Sequence, residues 1–349
     1  MSPLDEKHRV VYLLGPETVE LREDPIPRPG PGELLVRIGA ATTCGTDVKV
    51  FRRGGHPRML RVPTPFGHEL AGTIVECGEG ASSWNVGQRV VVANSAPCND
   101  CEYCRRGSAN LCSDLHYLNG AFAEYILVPR RFVETNTHLL PDDLPFEIAA
   151  LSEPLACVLH GVDSCDLDGA EDVAIYGAGP IGLLFVGVVA ALGHRVVLAD
   201  PNTSRLAAGT RLGATETVRI ERGAPQAEVV RAHASRRDGF DVVVEATGVP
   251  KVWADAISTA RPGGLVNLFG GCAPGTTVPL DTHLLHYSEL TVKGVYHHRP
   301  TTFARAVETL ASRRFDAGVL LSTEQPLAEL ESALRTMMRK EALKVVIRP

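Results

Sequence analysis

Four cysteines, Cys98, Cys101, Cys104 and Cys112, follow one another at CxxCxxCx7C spacing. Thiolates two residues apart can converge on one ion from a tight turn. Four of them close a tetrahedron and leave no position for a substrate, so a zinc held there is structural. Disulfides or unpaired thiols are the alternative, but so dense a cluster without secretory features favours metal. A second set is scattered more widely: Cys44 in Cys44-Gly-Thr-Asp47, His68 in Gly67-His-Glu69, and Glu153 in Leu151-Ser-Glu-Pro-Leu155. A thiolate, an imidazole and a carboxylate make a zinc set with room for water or substrate. Taken singly, a buried cysteine, a histidine satisfied by a carbonyl and a surface glutamate remain open.

A third constellation is glycine-rich. Gly177-Ala-Gly179-Pro180-Ile181-Gly182 directly follows a predicted strand and opens a predicted helix. There Gly177 permits the tight turn, Gly179 lets backbone approach a pyrophosphate, and Gly182 allows close helix–sheet packing. Asp200 ends the next strand, eighteen residues past Gly182, where a carboxylate accepts hydrogen bonds from an adenosine ribose. A 2′-phosphate would be repelled, which favours NAD over NADP; Arg205 nearby softens that choice, and an ordinary strand-end turn is the alternative for Asp200. The Glu245-Ala-Thr247-Gly248 turn ends another parallel strand and is expected to face the nicotinamide.

These groups need two kinds of scaffold. A chain of 349 residues exceeds the usual size of a single core, so two domains are expected. Up to about residue 155 the chain is rich in Pro and Gly with short apolar bursts, such as Glu33–Ile38, Ala71–Glu76 and Gln88–Val92. That pattern predicts an all-β, barrel-like lobe, with the Pro-rich Asp24–Gly32 as a surface connection. From about residue 145 strands and helices alternate: a helix over 146–161, a strand at 172–176, a helix over 180–192, a strand at 194–200, a helix over 203–212, a strand at 240–246, a helix over 252–260 and a strand at 264–270. Val-rich strands joined by helices predict a parallel, doubly wound sheet. Helical periodicity returns over 303–313 and 327–338, before a final strand at 343–348.

Composition excludes some classes. Hydrophobic content of 44% with 22% charged residues is that of a globular protein, and the net charge of −6 argues against a nucleic-acid surface. No apolar run is long enough to span a bilayer, and residues 1–9 carry no signal core, so a cytoplasmic protein with no membrane partner is expected. Of the nine cysteines, Cys77, Cys157, Cys165 and Cys272 read as packing residues.

Together the motifs resemble those of a zinc-containing medium-chain dehydrogenase/reductase, nearer the sorbitol and threonine dehydrogenase branch than the liver alcohol dehydrogenase branch. The resemblance covers essentially the whole chain. It implies an α/β protein in which a GroES-like β-barrel catalytic domain (1–155 and 296–349) carries both zinc sites, and a Rossmann domain (156–295) holds the dinucleotide. It further implies Cys44 and His68 as zinc ligands, Glu69 as a ligand that comes and goes, Glu153 at the zinc or on its water, and Asp47 orienting His68. The reaction implied is hydride transfer between NAD(H) and a secondary alcohol acidified by zinc, with the Thr46 hydroxyl carrying the proton. Lys49 departs from the pattern, since many relatives carry a histidine there; it could serve the ribose, relay the proton less directly, or be a plain surface lysine. Phe51, His56, Arg58 and Tyr296-His297-His298-Arg299 are the weaker candidates for facing substrate, a surface or cleft-rim position being the alternative for each. With Glu153 they suit a polyol, sugar, cyclitol or amino alcohol as the small-molecule substrate. A homotetramer or homodimer with two zinc ions per chain is expected. The alternatives are an NADP(H)-using carbonyl reductase of a biosynthetic route and a zinc-ribbon-like binding protein.

Overall fold

Strand Asp172–Tyr176 is buried at every residue, and it lies at the centre of a six-stranded sheet. Across the sheet the order is Glu216–Arg219, Arg195–Asp200, Asp172–Tyr176, Phe240–Glu245, Ala260–Leu268 and Thr291–Gly294, and every pairing is parallel. Burial on both faces explains why Val, Ile and Ala fill the three strands Arg195–Asp200, Asp172–Tyr176 and Phe240–Glu245 without alternation. Order reverses beside the central strand, which marks the crevice where a doubly wound sheet accepts ligands. Helices Pro180–Ala191, Thr203–Arg211 and Pro250–Thr259 lie close to the expected spans. The 146–161 helix is instead two, Phe146–Ala149 and Ser152–Asp163. Strands Glu216–Arg219 and Thr291–Gly294 complete the sheet from segments too short and polar to stand out in the sequence.

The computed structural model describes residues 6–349, so the first five residues of the 1–9 segment read above lie outside it. The chain forms two units. One runs to Ala156 and includes Arg299–Ser312 and Leu321–Pro349; the other comprises Cys157–His298 and Arg313–Leu320. The short return 313–320 belongs with the parallel sheet because the Phe315 ring fills the space beside Gly187, where a Cβ would meet it at 2.7 Å.

The first unit is built on a seven-stranded mixed sheet. Strand Leu34–Thr42 is central, flanked by Leu70–Cys77 and, at its other end, by the chain's last strand, Lys344–Arg348. A three-stranded sheet formed by Lys7–Gly15, Thr18–Pro25 and Thr64–Pro65 packs its apolar residues into the same core. The Pro-rich connection begins later than its composition suggests, since Asp24 and Pro25 end a strand. The lobe is not all β. Helix Gly45–Arg53 follows Cys44, closed by Gly54 in the left-handed region at φ 72°. Of its three apolar side chains Val50 and Phe51 point into the core and Val48 packs against it, a pattern too short to stand out in the sequence. No helix among the described residues is long and apolar enough to cross a membrane.

Candidate active site and metal centres

Cys98, Cys101, Cys104 and Cys112 converge from the loop around helix Glu102–Arg105 and the short turn Ala109–Leu111. Their sulfurs are 3.5 Å apart for Cys101–Cys104 and Cys98–Cys112, and 3.9 Å for Cys98–Cys104 and Cys101–Cys112. A tetrahedron with zinc–sulfur bonds of about 2.3 Å has edges of about 3.8 Å, so the four sulfurs fit that ion without rearrangement. A disulfide needs about 2.05 Å, and all nine cysteines are free thiols. Backbone amides already point at the sulfurs: Cys101 N–H donates to Cys98 Sγ at 3.2 Å, and Cys98 N–H to Cys112 Sγ at 3.3 Å. The amides of Cys104 and Ser113 lower the Cys101 thiol to about 5. Burial and neighbouring sulfurs push Cys104 up to about 12. Without a cation burial keeps Cys104 a neutral thiol, and a cation among the four sulfurs would let all of them ionise.

The second set forms where helix Gly45–Arg53 and strand Leu70–Cys77 begin. Cys44 is extended (φ −123°, ψ 156°) and caps the helix, its sulfur accepting the Thr46 amide at 3.4 Å. Asp47 closes the cap by accepting the Cys44 amide through Oδ2 at 2.8 Å. Its other oxygen, Oδ1, lies 2.9 Å from His68 Nδ1, and both side chains are buried. His68 follows Gly67, whose positive φ of 90° lets the Phe122 ring pack where a Cβ would stand. Donor atoms of Cys44, His68 and Glu69 all lie within 4.8 Å of one another, so the three can hold one ion. Burial alone lowers the His68 imidazole, but the Asp47 carboxylate and Cys44 override it and raise it well above its ordinary value.

Glu153 lies outside that close triad. It sits in the first turn of helix Ser152–Asp163, and Asn94 Nδ2 donates to its Oε1 at 2.8 Å. Burial pushes its carboxyl up to about 7. Asn94 was not singled out from the sequence, because a polar residue after Val90–Val92 reads as a strand end. Lys344 escaped notice as well. Wholly buried, it donates to Glu69 Oε1 at 2.9 Å, to Glu69 Oε2 at 2.6 Å and to the Thr43 carbonyl at 2.7 Å. Removing one member of such a buried pair costs about 3–5 kcal/mol.

The other candidates divide. Thr46 is half-buried in the first turn beside Cys44, and Lys49 is exposed on the same helix. Phe51 does not face a substrate: it is a core side chain with no exposure, packed within the apolar cluster. The His56 Nδ1 accepts the amides of Met59 at 3.0 Å and Arg58 at 3.2 Å, while Arg58 itself is exposed. Arg299 caps helix Pro300–Ala311 and donates to Asn110 Oδ1 at 3.1 Å. Tyr296 is exposed; the carbonyl of His297 lies 2.8 Å from His160 Nδ1, and His298 is buried. Of the packing cysteines, Cys165 is buried with its thiol pushed up to about 11, and Cys77 lies against the core; Cys157 and Cys272 are half-buried.

The glycine turn sits at the head of the twelve-residue helix Pro180–Ala191, with Gly179 as its cap. A Cβ on Gly182 would stand 1.8 Å from the Gly177 carbonyl oxygen, so only glycine permits this crossing of helix and strand. Gly179 has nothing within 4 Å of a Cβ position, which leaves open space above the helix end for a phosphate. Asp200 Oδ2 accepts the Ala178 amide at 2.7 Å and Oδ1 the Asn202 amide at 2.8 Å. Each carboxylate oxygen keeps a lone pair for a ribose hydroxyl. Arg205 is half-buried nearby, lowered by burial against the attraction of Asp200. Thr247 is exposed, its amide donating to Glu245 Oε1 at 2.7 Å, and its methyl would crowd a Cβ on Gly177.

Residues 30–141 match the alcohol dehydrogenase GroES-like domain, and residues 180–312 match the zinc-binding dehydrogenase domain. The L-threonine 3-dehydrogenase of Idiomarina loihiensis is 30% identical over 92% of this chain and 93% of its own. A structure from Sinorhizobium meliloti 1021, described as a zinc-binding dehydrogenase bound to NADP, aligns with a TM-score of 0.89 at 31% identity, covering 99% of this chain and 100% of that one. The L-idonate 5-dehydrogenase of Escherichia coli K-12 aligns with a TM-score of 0.86 at 27% identity, covering 99% of each chain. Likeness that runs nearly end to end in both sequence and fold leaves one assignment: this chain is an oxidoreductase and belongs to the zinc-containing medium-chain dehydrogenase/reductases of the alcohol dehydrogenase superfamily.

Proposed function

We propose that the chain oxidises a small, hydroxyl-rich secondary alcohol, or reduces the matching ketone, with NAD(H) and two zinc ions. In this reading the unit that runs to Ala156 and takes in Arg299–Ser312 and Leu321–Pro349 holds both metals, and the unit of Cys157–His298 with Arg313–Leu320, rather than the expected 156–295 alone, holds the dinucleotide. The carrying observation is the triad of half-buried Cys44 with buried His68 and Glu69, with donor atoms within 4.8 Å of one another. The bound metal supplies Lewis acidity to a substrate hydroxyl, and the dinucleotide supplies the hydride acceptor.

The chain's own groups do the rest. Cys44 and His68 bind the metal, and Asp47 fixes the imidazole so that Nε2 faces it. Glu69 serves as a displaceable third donor. Thr46, in the first turn after Cys44, relays the hydroxyl proton, accepting it on Oγ1 as its own hydroxyl proton passes to water, and Lys49, exposed on the same helix, is left to the ribose hydroxyls or to solvent. Glu153, oriented by Asn94, presents a carboxyl to the substrate or to water. Gly177, Gly179 and Gly182, with Pro180 and Ile181 in the same turn, receive the pyrophosphate at the helix end. Asp200 takes the ribose hydroxyls, and Thr247 lies at the nicotinamide end. Cys98, Cys101, Cys104 and Cys112 hold the structural zinc.

The substrates of the two named relatives favour a secondary alcohol carbon beside a second polar carbon, which fits a polyol, sugar, cyclitol or amino alcohol. A homotetramer or homodimer in the cytoplasm completes the reading and rests on family resemblance. The test is a screen of polyols, cyclitols, aldonic acids and amino alcohols, followed at the reduced-nicotinamide absorbance with NAD and NADP in parallel. Turnover of a hydroxyl-rich secondary alcohol is expected; activity confined to simple primary alcohols would overturn the substrate class. A second reading, a reductase using NADP(H), is favoured by Arg205 beside Asp200 and by the Sinorhizobium structure's NADP. The same screen decides between them.

A further inference from the structure

Glu69 belongs to two sets at once. Its carboxylate lies within 4.8 Å of the Cys44 and His68 donor atoms, and it is paired on both oxygens with Lys344. The lysine is 1% exposed and the glutamate 0%, so water does not screen the pair. Lys344 spends its three N–H donors on Glu69 Oε1, Glu69 Oε2 and the Thr43 carbonyl. Thr42 Oγ1 donates a further hydrogen bond to Glu69 Oε2.

The backbone holds this arrangement rigidly. Lys344 begins the last strand, which pairs with Leu34–Thr42 through Thr42 and Ala41. The Thr43 amide donates to the Val345 carbonyl at 3.0 Å, and the Val345 amide to Thr43 Oγ1 at 2.8 Å. The Thr42 amide donates to the Glu69 carbonyl at 3.1 Å. Three strands thus fix both ends of the ion pair.

We propose that Lys344 is a positioning residue that keeps Glu69 a weak, displaceable donor to the metal held by Cys44 and His68. The inference rests on the metal reading above. A carboxylate that shares its charge with a buried ammonium and a hydroxyl is a poorer ligand than a free one. Oε2 is fully engaged by Lys344 and Thr42, which leaves Oε1 alone able to turn toward a cation. Without Lys344 only the Thr42 hydroxyl still holds Oε2, Oε1 becomes free, and Glu69 closes the coordination position that a substrate hydroxyl needs.

The experiment measures release of zinc from the full-length, zinc-loaded protein to a chromogenic chelator, in Lys344→Met, Lys344→Arg, Thr42→Val and Lys344→Met/Glu69→Gln. Lys344→Met is expected to slow release of one of two zinc ions by about tenfold, the size of effect typical of groups that orient metal ligands. Thr42→Val slows it less, Lys344→Arg leaves it near wild type, and the double variant restores fast release. Cobalt-substituted Lys344→Met should also show a visible spectrum that substrate alcohol no longer perturbs. Thr42→Val strands no buried charge, so it carries the test if Lys344→Met fails to fold. Wild-type release rates in both Lys344→Met and Thr42→Val would overturn the proposal. A single zinc per chain in every variant, including wild type, would instead overturn the catalytic metal site itself.

Discussion

Asp47 ties two candidate ligands together: Oδ1 lies 2.9 Å from His68 Nδ1, while Oδ2 accepts the Cys44 amide at 2.8 Å. The contact with His68 leaves Nε2 for a metal, and the contact with Cys44 closes the cap that aims its sulfur. One side chain therefore sets the direction of both donors. Asp47→Ala is expected to weaken binding of one zinc by about 10–100-fold. Asp47→Asn should fall between, because an amide can still accept from His68 but presents a donor to the Cys44 amide. Zinc content after dialysis against a graded chelator checks this. Full zinc retention in Asp47→Ala would detach Asp47 from the metal.

The two cysteine sites should fail differently. Cys44→Ser removes one half-buried donor from the triad with His68 and Glu69 but leaves the cores intact, so turnover should disappear while the unfolding midpoint moves little. Cys101→Ser opens a tetrahedron that pins the loop around Glu102–Arg105, a segment with no buried helical residue of its own. It should lower thermal stability or disrupt assembly, since structural zinc contributes folding free energy directly. Equal loss of folding in both variants would erase the distinction between a working and a structural metal.

What the sequence disclosed follows from how local each feature is. Cys98, Cys101, Cys104 and Cys112 converge within one short loop, and Gly177–Gly182 needs only its own strand and helix, so spacing alone exposes both. The parallel sheet is legible because burial on both faces forces Val-rich runs. Lys344 is the opposite case. Its partner Glu69 lies 275 positions away, and a lysine opening an apolar strand looks like a surface charge until the strands pair. Phe51 erred the other way: it follows Cys44 closely in sequence, yet the helix turns it into the core. Helix Gly45–Arg53 itself was hidden because Asp47, a buried polar residue, occupies a position on its inner face.

Asp200 has a structural duty and a proposed binding duty, and they can be separated. Its carboxylate accepts the Ala178 amide at 2.7 Å, which braces the glycine turn, and it keeps lone pairs for a ribose. Asp200→Ala should raise KM for NAD by at least about tenfold, about 1.4 kcal/mol of lost binding. It should also shift the NADP-to-NAD ratio of kcat/KM upward, because the charge that repels a 2′-phosphate is gone while Arg205 remains. Asp200→Asn should retain part of the brace and so lose less NAD binding. Parallel initial-rate measurements with both dinucleotides check this, and an unchanged ratio in Asp200→Ala would remove Asp200 from cofactor choice.

A pH-dependent stability should trace to Asp241, far in sequence from either metal set. Its Oδ2 accepts the amides of Glu171 at 2.8 Å and Asp172 at 2.9 Å, and its Oδ1 the Arg261 Nε at 2.6 Å. Burial opposes ionisation, but the Arg261 guanidinium and the two amides outweigh it and hold the carboxyl below its usual range. A folded-state pKa below the unfolded one stabilises the fold above the unfolded value, about 3.9, and that stabilisation drains away as pH falls through the lowered one. Asp241→Asn faces the same donors with an amide that accepts on one side only, so it should cost about 1–3 kcal/mol near neutral pH. The gap between wild type and variant in urea unfolding should then narrow on going from about pH 7 to about pH 3, below the unfolded carboxyl value. A gap that stays constant across that range would mean the loss comes from packing, and the charge of Asp241 would carry none of it.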